Sequence, residues 1–230
     1  MTTEIKSSGS VNKSFAVFLK DLKSELRTRY AINAILMFAL VTVFAVSWAV
    51  GGIGLDQILQ ASLLWIVIYF SSLSGLSQSF VKEEESKTVA ALKLYCPSFA
   101  VLGGKMIFNL ILLFALNLLT IPLFGIFIGL DVYNIPLFII IVILGSLGIV
   151  ATTTLVAAII SKASVKGALF AVLSFPLVLP LMMMAISGTK KALTPETLIS
   201  AARMEIQVLV SYVVVMAVLG FILFDSVWND

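Results

Sequence analysis

Histidine is missing altogether and cysteine occurs once. Without histidine the chain supplies no His metal ligand and no His general base, and a lone cysteine excludes both an internal disulfide and a cysteine-cluster metal site. Charge is also scarce. Asp, Glu, Lys and Arg together make up 12% of the 230 residues, where a globular domain carries about 25%. A phosphate-binding Walker loop is lacking too. The nearest approximation, Gly103-Gly104-Lys105-Met106, has Phe99 where the first glycine is required and Met106 in place of Ser or Thr. If ATP drives this protein, another polypeptide hydrolyses it.

What is present is apolar. Hydrophobic residues make up 60% of the chain and the mean hydropathy is +1.13, which describes an integral membrane protein. Spans of about 20 residues fill such a chain almost completely with six helices and leave no room for a soluble domain. The predicted fold class is therefore all-α, with spans near 31–50, 58–80, 106–130, 135–160, 167–186 and 206–224. The net charge of +3 needs no nucleic acid to explain it, because the basic residues sit in loops.

Residues 1–12 are rich in Ser, Thr, Gly and Lys and read as a flexible tail rather than a signal peptide, whose apolar core would begin sooner. From 13 to 30 the chain is amphipathic. Phe15, Phe18, Leu19, Leu22 and Leu26 recur at helical spacing opposite Lys13, Lys20, Asp21, Lys23, Glu25 and Arg27. Such a helix lies along the membrane interface, in contact with lipid, as an anchor or as something more.

Small and polar residues inside the spans point to close helix packing. Ser71, Ser72, Ser74, Gly75, Ser77, Gln78 and Ser79 in the second span, and Gly145, Gly148, Ala151, Thr152 and Thr154 in the fourth, let neighbouring helices approach. A wetted substrate face is the sharper reading of the same serines. Asn109 and Asn117 in the third span need hydrogen-bond partners on other helices. Pro176 and Pro180 in the fifth free backbone groups one turn apart and should bend it. Thr194, Pro195 and Glu196 read as an N-cap, a first-position proline and a first-turn acid, so a short surface helix is expected after them.

Orientation follows from the basic residues. Lys6, Lys13, Lys20, Lys23, Arg27, Arg29, Lys82, Lys87, Lys93, Lys105, Lys162 and Lys166 fall on one side, and Lys190, Lys191 and Arg203 on the other. This asymmetry predicts that both termini are cytoplasmic.

The longest polar interruption, Val81 to Lys105, joins spans two and three on the basic side. Glu83, Glu84 and Glu85 open it, Val89, Ala90, Leu92 and Leu94 give a short apolar pattern, and Pro97 stops any helix. A short helix with an acidic start suits docking by a soluble partner, and a plain solvated connector is the alternative. No Asp, Glu, Lys or Arg lies mid-span, although an ion-coupled carrier keeps one there despite a cost of about 2.5 to 3.5 kcal/mol. With no clustered nucleophile, base or metal site either, a channel-like or scaffold protein, or a permease driven by a separate ATPase, remains.

Phe18 to Arg29, Ser71 to Glu85, Gly103 to Lys105, Leu123 to Gly129, Leu144 to Thr153 and Pro176 to Leu181, in this order and spacing, together resemble the CcmB family. That family is the permease subunit of the cytochrome c maturation (haem exporter) ABC system, and the likeness covers residues 15–225. The resemblance implies an ABC-2 type permease of the bacterial inner membrane, with an N-terminal interface helix (Phe15, Phe18, Leu19, Leu22 and Leu26). It makes the connection between spans two and three a coupling helix (Glu83, Glu84, Glu85, Val89 and Leu92) seated in a CcmA-like ATPase that binds the ATP. It further implies CcmC-like and CcmD-like membrane partners, the haem chaperone CcmE, haem as possible cargo and no catalytic residue in this chain. Six spans make half a transporter, so a homodimer is expected, and the small-residue faces of spans two and four are candidates for its interface. Met182, Met183 and Met184 read as core filling rather than haem ligands, and Cys96-Pro97 as an incidental loop pair. A permease for another cargo, such as a lipid, polysaccharide or drug, and a non-transporting scaffold are the alternatives.

Overall fold

A computed structural model of the protein describes residues 2–51, 54–76, 83, 89–160 and 166–229, with the side chains of 2–11, 30–31, 89–91, 166–168, 227 and 229 left out. Eight α-helices follow in order among these residues: α1 (Thr2–Thr28), α2 (Tyr30–Val50), α3 (Gln57–Leu76), α4 (Val89–Tyr95), α5 (Ser98–Ile128), α6 (Ile135–Ile160), α7 (Lys166–Leu193) and α8 (Arg203–Asn229). Six of them (α2, α3 and α5 to α8) are long and apolar enough to cross a membrane. One end of the bundle, the basic end, gathers α1, α4, the start of α5 and the end of α8. The α2–α3, α5–α6 and α7–α8 turns lie at the opposite end.

Helix α6 is the hub. Its residues from Gly145 to Ala158 are almost all buried, and α3, α5, α7 and α8 pack around it. Because lipid tails are as apolar as leucine, close fit rather than escape from water holds such a bundle together. Glycines provide that fit at two crossings: a methyl group on Gly145 would strike the ring of Trp65 on α3, and one on Gly148 would strike Leu181 on α7. Trp65 in turn donates its Nε1 hydrogen to Thr189 Oγ1 of α7 at 2.8 Å, so a single buried side chain ties three helices.

Both asparagines find helix partners. Asn109 Nδ2 donates to Thr154 Oγ1 at 2.9 Å and Asn117 Nδ2 to Ser146 Oγ at 2.8 Å, two rungs between antiparallel α5 and α6. Ser71, Ser72 and Gly75 of α3 are buried as well. Ser71, Ser72 and Gly75 of the second span and Gly145 and Gly148 of the fourth are thus taken up by packing inside the chain, while Ser77 and Ser79 lie outside the described residues. At Gly145 the approach that the glycine opens is already occupied by Trp65 of the same chain, so that point is not available to a second copy.

Several boundaries differ from the hydropathy reading. Helix α1 begins at Thr2, within the segment read as a tail, and continuation from the packed part costs little once a helix is nucleated. Helix α5 starts eight residues ahead of the expected span, because Lys105, which marked the loop limit by its charge, is neutralised inside the fold. Helix α7 runs on to Leu193 through both prolines. The surface helix expected after Pro195 is replaced by a turn with Glu196 at φ 60° and a 3-10 turn, Ile199–Ala202. Thr194 Oγ1 donates backward to the Lys190 carbonyl at 2.9 Å, so it closes α7 instead of opening a new helix.

Candidate functional site

The connection between α3 and α5 meets α1 at the basic end, and the meeting point is ionic. Lys105, eight residues into α5, is 1% exposed, and its Nζ lies 3.1 Å from Asp21 Oδ2 and 3.2 Å from Glu83 Oε1. Lys20 completes the group, 3.1 Å from Asp21 Oδ1 and hydrogen-bonded to Glu83. Among the described residues two ammonium groups face two carboxylates, and these pairings are what allow Lys105 and Glu83 to be buried, while Lys20 stays partly exposed. An unpaired charge in that place would cost several kcal/mol. Burial works against the charge on Lys20, but the flanking Asp21 and Glu83 carboxylates outweigh it and raise its pKa above the ordinary 10.5.

Backbone proximity makes the cluster possible. A methyl group on Gly104 would lie 2.6 Å from the Ser14 carbonyl oxygen and 2.7 Å from Val17 Cβ, so α1 rests on α5 at a point only glycine leaves open. Around it Val17 and Phe18 are buried and Leu22 packs against the main core. Phe15, Leu19 and Leu26 remain exposed. The amphipathic face therefore divides, with one edge fixing α1 to the bundle and the other presented outward. At the junction with α2, Arg29 takes a left-handed conformation (φ 52°), and buried Glu25 accepts a hydrogen bond from the Ile32 amide at 3.0 Å, capping the new helix.

The proposed docking residues separate in the same way. Glu83 is 6% exposed and committed to Lys105 and Lys20, so it is an internal brace and not a free acidic charge for steering a partner. Leu92 packs inward against a second apolar cluster that includes Val101, Phe170, Phe224 and Trp228. Val89 starts helix α4, its side chain being outside the described residues, as are Glu84 and Glu85 altogether. Among the described side chains of α4 the outward ones are Leu94, 83% exposed, and Tyr95, 77% exposed, beside Lys93. Leu94 was in the apolar pattern of this stretch, whereas Tyr95 carries no periodic signal.

A second polar group closes the opposite end. Glu205 of α8 accepts from Ser187 Oγ at 2.8 Å and pairs with Lys191, both on α7, while Lys191 Nζ also donates to the Ala201 carbonyl at 2.8 Å. Glu205 sits one residue outside the expected span, where a charge attracts no notice in a hydropathy scan.

Among protein families, the one described as "CcmB: CcmB protein" matches residues 12–227. The chain belongs to the CcmB family. As a CcmB protein with six spanning helices it is a multi-pass membrane protein, the permease subunit of an ABC transporter of cytochrome c biogenesis, a haem exporter. CcmB works alongside other components of the Ccm system, an ATPase among them. Lys20, Asp21, Glu83 and Lys105, with Leu94 and Tyr95, all fall inside the matched segment. Comparison with individually curated proteins gives no match.

Proposed function

We propose that this CcmB chain converts ATP hydrolysis by a CcmA-like subunit into movement of the membrane bundle, with α4 as the element that the ATPase grips from the cytoplasm. The observation that carries this reading is the pairing of an exposed tip with a clamped base. Leu94 and Tyr95 offer apolar surface for burial by a partner, while Glu83, upstream of α4, is held to α5 by a buried ion pair with Lys105 and to α1 by a partly exposed one with Lys20. Both termini are then cytoplasmic, in keeping with the distribution of Lys and Arg, and the α7–α8 turn with Glu205 faces the periplasm.

In this account two copies form the transport unit beside CcmC-like and CcmD-like proteins, and the ATP-driven movement serves haem export or the release of haem-loaded CcmE. Replacing Leu94 and Tyr95 by Glu, which removes the apolar contact and sets charge in its place, is expected to lower co-purification of the ATPase more than about tenfold, equivalent to about 1.4 kcal/mol. The amount of chain in the membrane should not change, and c-type cytochromes should be lost while b-type cytochromes persist. Unchanged co-purification overturns the assignment.

A further inference from the structure

Helix α8 touches both the α4 region and the far end of the bundle, and it runs between them without interruption. At the basic end the Lys93 ammonium sits 5.7 Å from the Trp228 ring centroid, and Trp228 and Phe224 belong to the cluster against which Leu92 and Cys96 pack. Ser98, at the start of α5, donates a hydrogen bond to Asp225, and Phe99 stacks on Phe221 with ring centroids 4.8 Å apart. Along its length, Tyr212 donates to the Leu177 carbonyl at 2.7 Å, reaching the backbone of α7 between its two prolines, and lies 2.8 Å from Thr152 Oγ1 of α6. At the far end Glu205 holds Ser187 and Lys191 of α7.

We infer that α8 is the transmission rod of this permease, and that Trp228 and Asp225 are the positioning residues that tie it to α4 and the head of α5. The inference rests on the reading of α4 as the ATPase grip. At 27 residues and about 1.5 Å per residue, α8 is about 40 Å long, enough to span the bundle. It contains no proline, unlike α5 and α7, so displacement at one end reaches the other. Helix α6 reaches the same cluster but is enclosed by neighbours and moves only if the whole core repacks. Val210, Val214, Val215, Val218 and Ile222 of α8 are exposed, so no other helix of this chain holds that face in place. The prolines of α7 weaken its backbone next to the Tyr212 contact and make α7 the compliant element that such a shift bends.

The test uses the full complex in membranes, with spin labels on Ile58→Cys and Met204→Cys in a Cys96→Ser background. Both sites are exposed and lie at the end away from α4. Nucleotide binding should change the distance between the labels in the parent protein. In Trp228→Ala the ATPase should still co-purify and hydrolyse ATP, but the change in distance should vanish and c-type cytochrome yield should fall at least tenfold. Trp228→Phe, which keeps an aromatic ring, should restore both. Asp225→Ala, which removes the acceptor for Ser98 at an exposed site less prone to disturb folding, should reduce the distance change by about half or more. A full distance change in Trp228→Ala and Asp225→Ala, with the ATPase bound, overturns the rod. Retention of the ATPase by the Leu94→Glu and Tyr95→Glu variants is the separate result that overturns the reading beneath it.

Discussion

Lys105 Nζ lies 3.2 Å from Glu83 Oε1, joining two residues 22 apart in sequence at a place where the lysine side chain is 1% exposed. Through this pair the segment before α4 is fixed to the head of α5, and through Asp21 the same lysine fixes α1. Removing one partner leaves an uncompensated buried charge, whereas removing both leaves less imbalance. Lys105→Met is expected to cost about 3 to 5 kcal/mol. Glu83→Gln should also destabilise, and the double variant should recover part of the loss. Thermal inactivation of the purified complex, read as a double-mutant cycle, checks this. Strict additivity would mean that the two side chains do not act as a pair.

Gly104 and Gly103 are neighbours with different surroundings. A methyl group on Gly104 meets the Ser14 backbone at 2.6 Å, but one on Gly103 comes no closer than 3.4 Å, to Ser14 Oγ. Gly104→Ala should therefore lift α1 from α5 at a cost of about 1 to 3 kcal/mol, while Gly103→Ala should be tolerated. Disulfide formation between Cys pairs placed on α1 and α5 measures the displacement; equal yields in the two variants would refute it.

At the centre, Gly145 makes room for Trp65. Gly145→Ala should destabilise the bundle by about 1 to 3 kcal/mol. Combining it with Trp65→Phe should relieve the clash, although the hydrogen bond to Thr189 is lost. Heat-induced aggregation in detergent distinguishes these: a double variant no better than Gly145→Ala alone would contradict the steric account.

Asn117 and Ser146 form one polar rung between α5 and α6. Interhelical hydrogen bonds in membranes average about 0.6 kcal/mol and reach about 1.7. Ser146→Ala should thus lower stability by less than about 2 kcal/mol and leave c-type cytochrome yield near normal. A complete loss of yield in a stably inserted variant would mark the rung as part of a pathway and not a packing device.

The six spans were legible because length and hydropathy alone determine which segments cross a bilayer, and the asparagine rungs followed from the cost of an unpaired amide in hydrocarbon. The helix ends were less legible. Lys105 was placed in a loop by its charge, yet Asp21, 84 residues earlier, and Glu83 neutralise it and let α5 begin at Ser98. Such pairing over long sequence distances has no local signature. Glu83 carries the same ambiguity, since an acidic run reads alike whether its first member points to solvent or into an ion cluster. Thr194-Pro195-Glu196 had the composition of a helix start, but the direction in which Thr194 bonds made it a stop.

Site-specific photo-cross-linking from α4 tests the central claim most directly. With a photoreactive side chain in place of Leu94 or Tyr95, irradiation of intact cells should yield a covalent adduct between this chain and the ATPase subunit. The same group at Leu198, which is 72% exposed at the opposite end of the bundle, should yield none. An ATPase adduct from position 198, or none from 94 and 95, would contradict the account.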